Sequence, residues 1–135
     1  MQPIHDNVEF LLSLKGGASK SRPSNGVDDL VNRGIVEIEP LTYIRGRSIP
    51  NQYMIVDEAQ NLTPHEIKTI ITRAGSNTKL VFTGDPNQID NPYVDSTSNG
   101  LTYVVERFKH ERIAATVSLA KGERSELAEL AANLL

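Results

Sequence analysis

The chain has 135 residues, 39% hydrophobic and 23% charged. This is the size and balance of one soluble domain or part of one, able to bury roughly two-thirds of the surface its unfolded form exposes. A net charge of −3 excludes a globally basic nucleic-acid footprint, and the absence of cysteine excludes disulfides and cysteine–zinc sites. MQPIHDNVEF is not a signal peptide, and no apolar run approaches the ~20 residues of a membrane helix, so the expectation is a cytoplasmic protein without a membrane partner.

In chain order, Ile4, Val8, Leu11 and Leu12 recur at helical spacing and predict a short amphipathic helix over 3–14. Residues 15–26, KGGASKSRPSNG, have the composition of a flexible loop. A short helix is expected over 27–33, stopped by Gly34, then a strand at Ile35, Val36 and Ile38 ending at Pro40. A second strand is Tyr53–Asp57. Thr63, Pro64 and Glu66 form a capping box with proline at the first helical position. The helix they start carries Ile67, Ile70, Ile71 and Ala74 on one side and stops at Gly75. Lys79–Thr83 is a third strand, 84–99 a long polar loop, and a helix follows near 100–109. A strand at Ile113–Leu119 and a helix near 123–135 complete the chain.

Apolar strands alternating with helices predict an α/β fold: a parallel sheet covered by helices on both faces. Ligands of such sheets sit beyond the carboxyl ends of the strands, where Asp57 and Gly84-Asp85 both fall.

Those strand ends suggest a chemistry. M-I-V-D-E at 54–58, an apolar strand ending in two acids, resembles a Walker B motif. Phosphoryl transfer needs a magnesium ion bridging the β- and γ-phosphates and an oriented water. Asp57 would hold the metal and Glu58 would polarise the water; the plain alternative is two solvated acids beside a turn. T-G-D-P-N-Q at 83–88 resembles the G-D-x-x-Q motif III of superfamily 1 and related helicase-type ATPases, where the glutamine senses the γ-phosphate. The Gln88 amide can donate to a phosphate oxygen and accept from a water. Gly-Asp-Pro-Asn is also good turn chemistry on its own.

EPLTYIRGRSIPNQYMIVDEAQNLTPHEIKTIITRAG, followed by TGDPNQIDNPY and KGERSELAELA, resembles the carboxyl-terminal half of the PhoH-like ATPases, most closely the long form fused to a PIN-type ribonuclease domain. The resemblance runs over 1–135 and is weakest at 15–33. It implies one domain with the RecA/helicase-type P-loop NTPase fold, ATP and Mg²⁺ as cofactors, RNA as a partner and a ring-like homo-oligomer. It also implies nucleotide-binding roles for Gly84, Asp85 and Gln88. At Lys121-Gly122-Glu123-Arg124-Ser125 it implies a sensor or motif VI site with Arg124 near the γ-phosphate, simple helix capping being the alternative. Arg45 and Arg47 become candidates for touching nucleic acid or a neighbouring subunit's nucleotide, or are solvated surface arginines; Tyr43 could stack on a base or fill core or rim.

The 135 residues contain no G-x-x-x-x-G-K-[ST]. Gly16-Gly17-Ala18-Ser19-Lys20-Ser21 lacks the glycine before the lysine, and a P-loop needs a strand before it and a helix after it. The expectation is therefore an incomplete core, with the Walker A strand, loop and helix upstream of Met1 and little or no ATP hydrolysis by these residues alone. In the family's sheet order that first strand lies between 79–83 and 113–119, so its loss would leave two unpaired edges. Two other readings stay open: a non-hydrolysing RNA- or protein-binding remnant, and a subunit whose Walker A comes from another polypeptide. His65-Glu66 is not a zincin motif, because Thr69 stands where the second histidine is required; His5 and His110 lack partners, and Asp90 and Asp95 read as solvated turn acids.

Overall fold

The computed structural model describes residues 26–44 and 46–119, with Ser125, Leu127, Leu130 and Leu134 beyond them. The chain divides into two compact units, Met1–Ile44 and Arg45–Leu135. The helix expected over 3–14 and the Gly16–Ser21 stretch lie outside the described residues.

In the first unit, α1 runs Gly26–Asn32, and the 3-10 turn Leu41–Ile44 follows. Gly34 takes a positive φ of 66°, and its N–H donates to the Val31 carbonyl at 2.9 Å while Ile35 N–H reaches back to the Leu30 carbonyl at 2.9 Å. This is a Schellman stop, and it explains why no strand forms at 35–38. The Leu30 carbonyl also accepts from Val36 N–H at 3.2 Å, so the two backbone donors a ladder would need are already spent on the helix end.

In the second unit, β1 (Tyr53–Val56) and β2 (Lys79–Phe82) pair in parallel, with Tyr53 opposite Lys79 and Val56 opposite Phe82. Parallel neighbours need a crossover, and α2, Pro64–Ile71, supplies it. The capping box starts α2 as the sequence predicts: Thr63 Oγ1 accepts from Glu66 N–H at 3.3 Å, and Glu66 Oε2 accepts from Thr63 N–H at 2.8 Å. Ile67 and Ile70 of α2 are buried, as is Val56 of β1. The next helix, α3 (Gly100–Phe108), packs on α2 and on the 3-10 turn Ala59–Asn61 that follows β1.

The expected α/β class holds, a parallel sheet flanked by helices, with two departures in this unit. The sheet is not covered on both faces among the described residues, because Tyr53 and Ile55 alternate outward at 65% exposure each. The strand expected at 113–119 does not form: Ile113 lies in a turn, 114–119 carry no regular secondary structure, and Ile113 and Leu119 are 91% and 88% exposed. A β-branched run becomes a strand only when a neighbouring strand takes its backbone groups, and none of the described residues does so. Leu127, Leu130 and Leu134 are helical and exposed, in line with the last expected helix.

Candidate functional site at the strand ends

The β-ladder continues one residue past both strands. Thr83 N–H donates to the Val56 carbonyl at 3.0 Å, and Ala59 N–H donates to the Thr83 carbonyl at 2.9 Å. This register brings Asp57 and Thr83 side by side, and the Thr83 hydroxyl donates to Asp57 Oδ1 at 2.6 Å. Asp57 is exposed. Its bond to Thr83 occupies one carboxylate oxygen and fixes the direction of the other.

At Glu58 the chain leaves the strand through a left-handed conformation, φ 54° and ψ 38°. For a non-glycine residue this costs on the order of 1–3 kcal/mol and persists only when the surroundings dictate it. Here the surroundings are Gln60. Its side chain is fully buried, at 0% exposure, in the turn behind the two acids. Gln60 Nε2 donates to Glu58 Oε2 at 2.5 Å and to the Gln88 carbonyl at 2.9 Å, while Gln60 Oε1 accepts from Asp85 N–H at 3.2 Å.

The 85–88 turn is equally tied to itself. Asp85 Oδ1 accepts from Asn87 N–H at 2.9 Å, and Asp85 Oδ2 from Gln88 Nε2 at 2.6 Å. Gly84 lets this turn approach: a Cβ there would stand 2.2 Å from Gln60 Oε1 and 3.2 Å from Ala59 N. Asp57, held by Thr83, and Glu58, Asp85 and Gln88, held by Gln60, thus lie with Gly84 at the carboxyl ends of neighbouring parallel strands. Arg47 is exposed in the segment before β1, and Tyr43 is exposed rather than in a core. Arg45 and Arg124 lie outside the described residues.

Sequence reasoning missed Gln60 and Asn61. Asn61 Oδ1 accepts from Asp90 N–H at 2.7 Å and Asn91 N–H at 3.2 Å, pinning the long polar loop to the turn after β1. The signal was available: two amides between an apolar strand end and a capping box sit where the chain must turn inward. Asp95, read as a solvated turn acid, organises the other end of the loop. It accepts from Thr97 N–H and Ser98 N–H, both at 2.8 Å, and from the Thr97 hydroxyl at 2.7 Å. The bonds from Thr97, then those from Ser98, lower its pKa from the ordinary 3.8 to about 2. A depressed carboxylate favours the fold above its unfolded pKa and loses that contribution as pH falls through the folded one. Exchange protection of the Thr97 and Ser98 amides is therefore expected to hold above pH 4 and to fall between about pH 4 and pH 2. Hydrogen exchange followed by NMR checks this.

Among the described residues, no three His, Asp or Glu side chains are grouped to hold a metal by themselves. That donor set still fits magnesium, which keeps several waters and needs only one or two carboxylates beside substrate phosphates. Asp57 with the neighbouring Thr83 hydroxyl is an all-oxygen pair of that kind.

A parallel β-α-β unit with an acidic pair after one strand and Gly-Asp-x-x-Gln after the next defines part of a P-loop NTPase-like α/β core. The chain belongs to the PhoH family: the model described as PhoH-like protein matches residues 1–134. "Protein PhoH2" of Bacillus subtilis (strain 168) is 57% identical over 135 residues, covering 100% of this chain and 29% of the relative. "PhoH-like protein" of the same organism is 46% identical over 109 residues, 81% of this chain and 30% of the relative. "Protein PhoH2" of Mycolicibacterium smegmatis is 38% identical over 109 residues, 81% of this chain and 25% of the relative. The chain therefore spans less than a third of the length of these relatives. None of the described helices is long and apolar enough to cross a membrane.

Proposed function

We propose that these residues form the magnesium- and water-handling half of an ATP-hydrolysing site, and that hydrolysis in the whole protein drives remodelling or unwinding of RNA. The observation that carries this is the placement at adjacent parallel strand ends of Asp57, bonded to Thr83, and of Glu58, joined to Gln88 through Gln60. Membership of a family of P-loop-type NTPases supports the nucleotide and the metal in general terms.

The roles follow from the side chains. Asp57 offers a carboxylate oxygen to magnesium, and Thr83 sets its direction. Bound magnesium would supply charge neutralisation across the β- and γ-phosphates. Glu58, one residue on and turned by its left-handed backbone, presents a separate carboxylate to accept a water's proton. Gly84 and Asp85 shape the turn that carries Gln88, whose amide can report the γ-phosphate. Arg124 is assigned an assisting cation, and Arg45 and Arg47 contacts to RNA or to a neighbouring subunit of a ring.

The test is phosphate release from ATP by the native full-length gene product, with and without single-stranded RNA, across a magnesium titration. Magnesium-dependent turnover that rises with RNA is expected. Asp57→Ala should raise the magnesium concentration needed by about tenfold or more, since it removes the protein's share of the metal site. RNA binding without turnover at any magnesium concentration would favour a non-hydrolysing binding module instead.

A further inference from the structure

Gln60 lies outside the roles just assigned, yet its buried side chain is bonded to three of the residues that carry them. Its buried amide has two N–H groups and one well-placed carbonyl oxygen, and each is used on a different partner. One N–H holds the Glu58 carboxylate, the other holds the Gln88 carbonyl, and the oxygen holds the Asp85 N–H. The Glu58 side chain reaches the second strand end through Gln60.

We infer that Gln60 is the positioning residue that makes the location of the Glu58 carboxylate depend on the state of the 85–88 turn, so that water activation is switched with the γ-phosphate contact of Gln88. The inference rests on the hydrolytic reading above. Its physical basis is geometric. The 85–88 turn moves as a unit, because the Asp85 side chain is bonded to Asn87 N–H and to the Gln88 amide. A shift of the 85–88 turn toward a phosphate displaces the Gln88 carbonyl, which is anchored on Gln60 Nε2. A buried amide cannot replace a lost partner with bulk water, so it follows the turn or leaves a bond unmade. Either response changes the second bond of the same nitrogen, the one to Glu58. Gly84 keeps the coupling tight: any larger residue would push a Cβ into Gln60 Oε1.

A purely structural amide would matter for folding and for nothing else, and two measurements separate the cases. The first is kinetic, on the native full-length gene product. Gln60→Leu removes all three bonds; Gln60→Glu keeps the shape and the acceptor for Asp85 but loses both donors. Both variants are expected to lower kcat about 10–100-fold, the usual effect of losing a group that orients a functional side chain, with KM for ATP changed less than about threefold. An unchanged kcat in a folded variant would overturn the inference. So would a loss that both variants show only in proportion to unfolded protein. The second measurement needs no turnover. In ¹⁵N NMR spectra, Glu58→Ala, which removes the acceptor of Gln60 Nε2, should shift the amide signals of Asp85 and Gln88 in the otherwise native protein, and should leave them in place in the Gln60→Leu background. Signals at 85 and 88 indifferent to Glu58 would refute the coupling itself. If the native protein shows the coupling but no hydrolysis, the hydrolytic reading fails and with it the proposed switching of water activation, leaving a structural link alone.

Discussion

Replacing Glu58 with Gln is expected to lower ATP turnover about 10²–10⁴-fold while leaving magnesium–nucleotide binding within a few-fold of the native protein. The size follows from the chemistry: a positioned carboxylate takes a proton in the transition state, and an amide cannot. The selectivity follows from the structure. The replacement has the same shape and retains an oxygen that can accept from Gln60 Nε2, the bond that Glu58 makes at 2.5 Å. The left-handed backbone at 58 and the turn behind it therefore have no reason to move. Asp57, which is bonded to Thr83 and not to Gln60, keeps its own direction. The measurement is single-turnover hydrolysis beside equilibrium binding of a fluorescent nucleotide. Loss of binding equal to loss of rate would mean that Glu58 serves the metal or the fold, and the separate roles assigned to the two acids would be wrong.

The two strand ends on which this proposal rests were legible in the sequence because they depend on local features. An apolar run ending in two acids, a capping box six residues later and a Gly-Asp turn after the next apolar run each state their structure within a few residues. The two paired strands came out within one residue of the expected ends, and α2 began where Thr63, Pro64 and Glu66 required. What the periods and breakers did not show was decided by hydrogen-bond partners, some near in the chain and some distant. Ile35, Val36 and Ile38 look like a strand, but the α1 stop captures the backbone donors of the first two. Residues 113–119 have strand composition and find no neighbour among the described residues. Gln60 looks like a polar turn residue until its partners at 85 and 88 are seen. A pattern of periods and breakers carries information about elements; a buried amide acquires meaning only from its partners.

Gly100→Ala is the substitution expected to cost most in stability without touching the acids, about 1–3 kcal/mol, the usual range for overfilling a packed site. Gly100 is buried at the first position of α3, and its N–H donates to the Leu62 carbonyl at 2.6 Å. A Cβ there would stand 2.5 Å from Ile67 Cγ1, 2.8 Å from Leu62 O and 3.0 Å from Thr63 O. In an open helix the same change would gain roughly 0.8–1.0 kcal/mol of helix propensity, so a net loss would show that packing overrides it. The side chain can yield and the two carbonyls cannot, because they belong to the segment that begins α2. In an Ile67→Ala background, Gly100→Ala should therefore cost only part of what it costs in the native protein, since removing Cγ1 abolishes the closest contact and leaves the two backbone ones. Urea unfolding of the native, single and double variants measures this as a cycle, in which contacting residues couple by about 0.5–3 kcal/mol. Full additivity would mean that α3 shifts away from α2 as a body to make room. Because α3 also packs on the Ala59–Asn61 turn, such a shift would reach Gln60, and the Gly100→Ala protein should then lose turnover as well as stability.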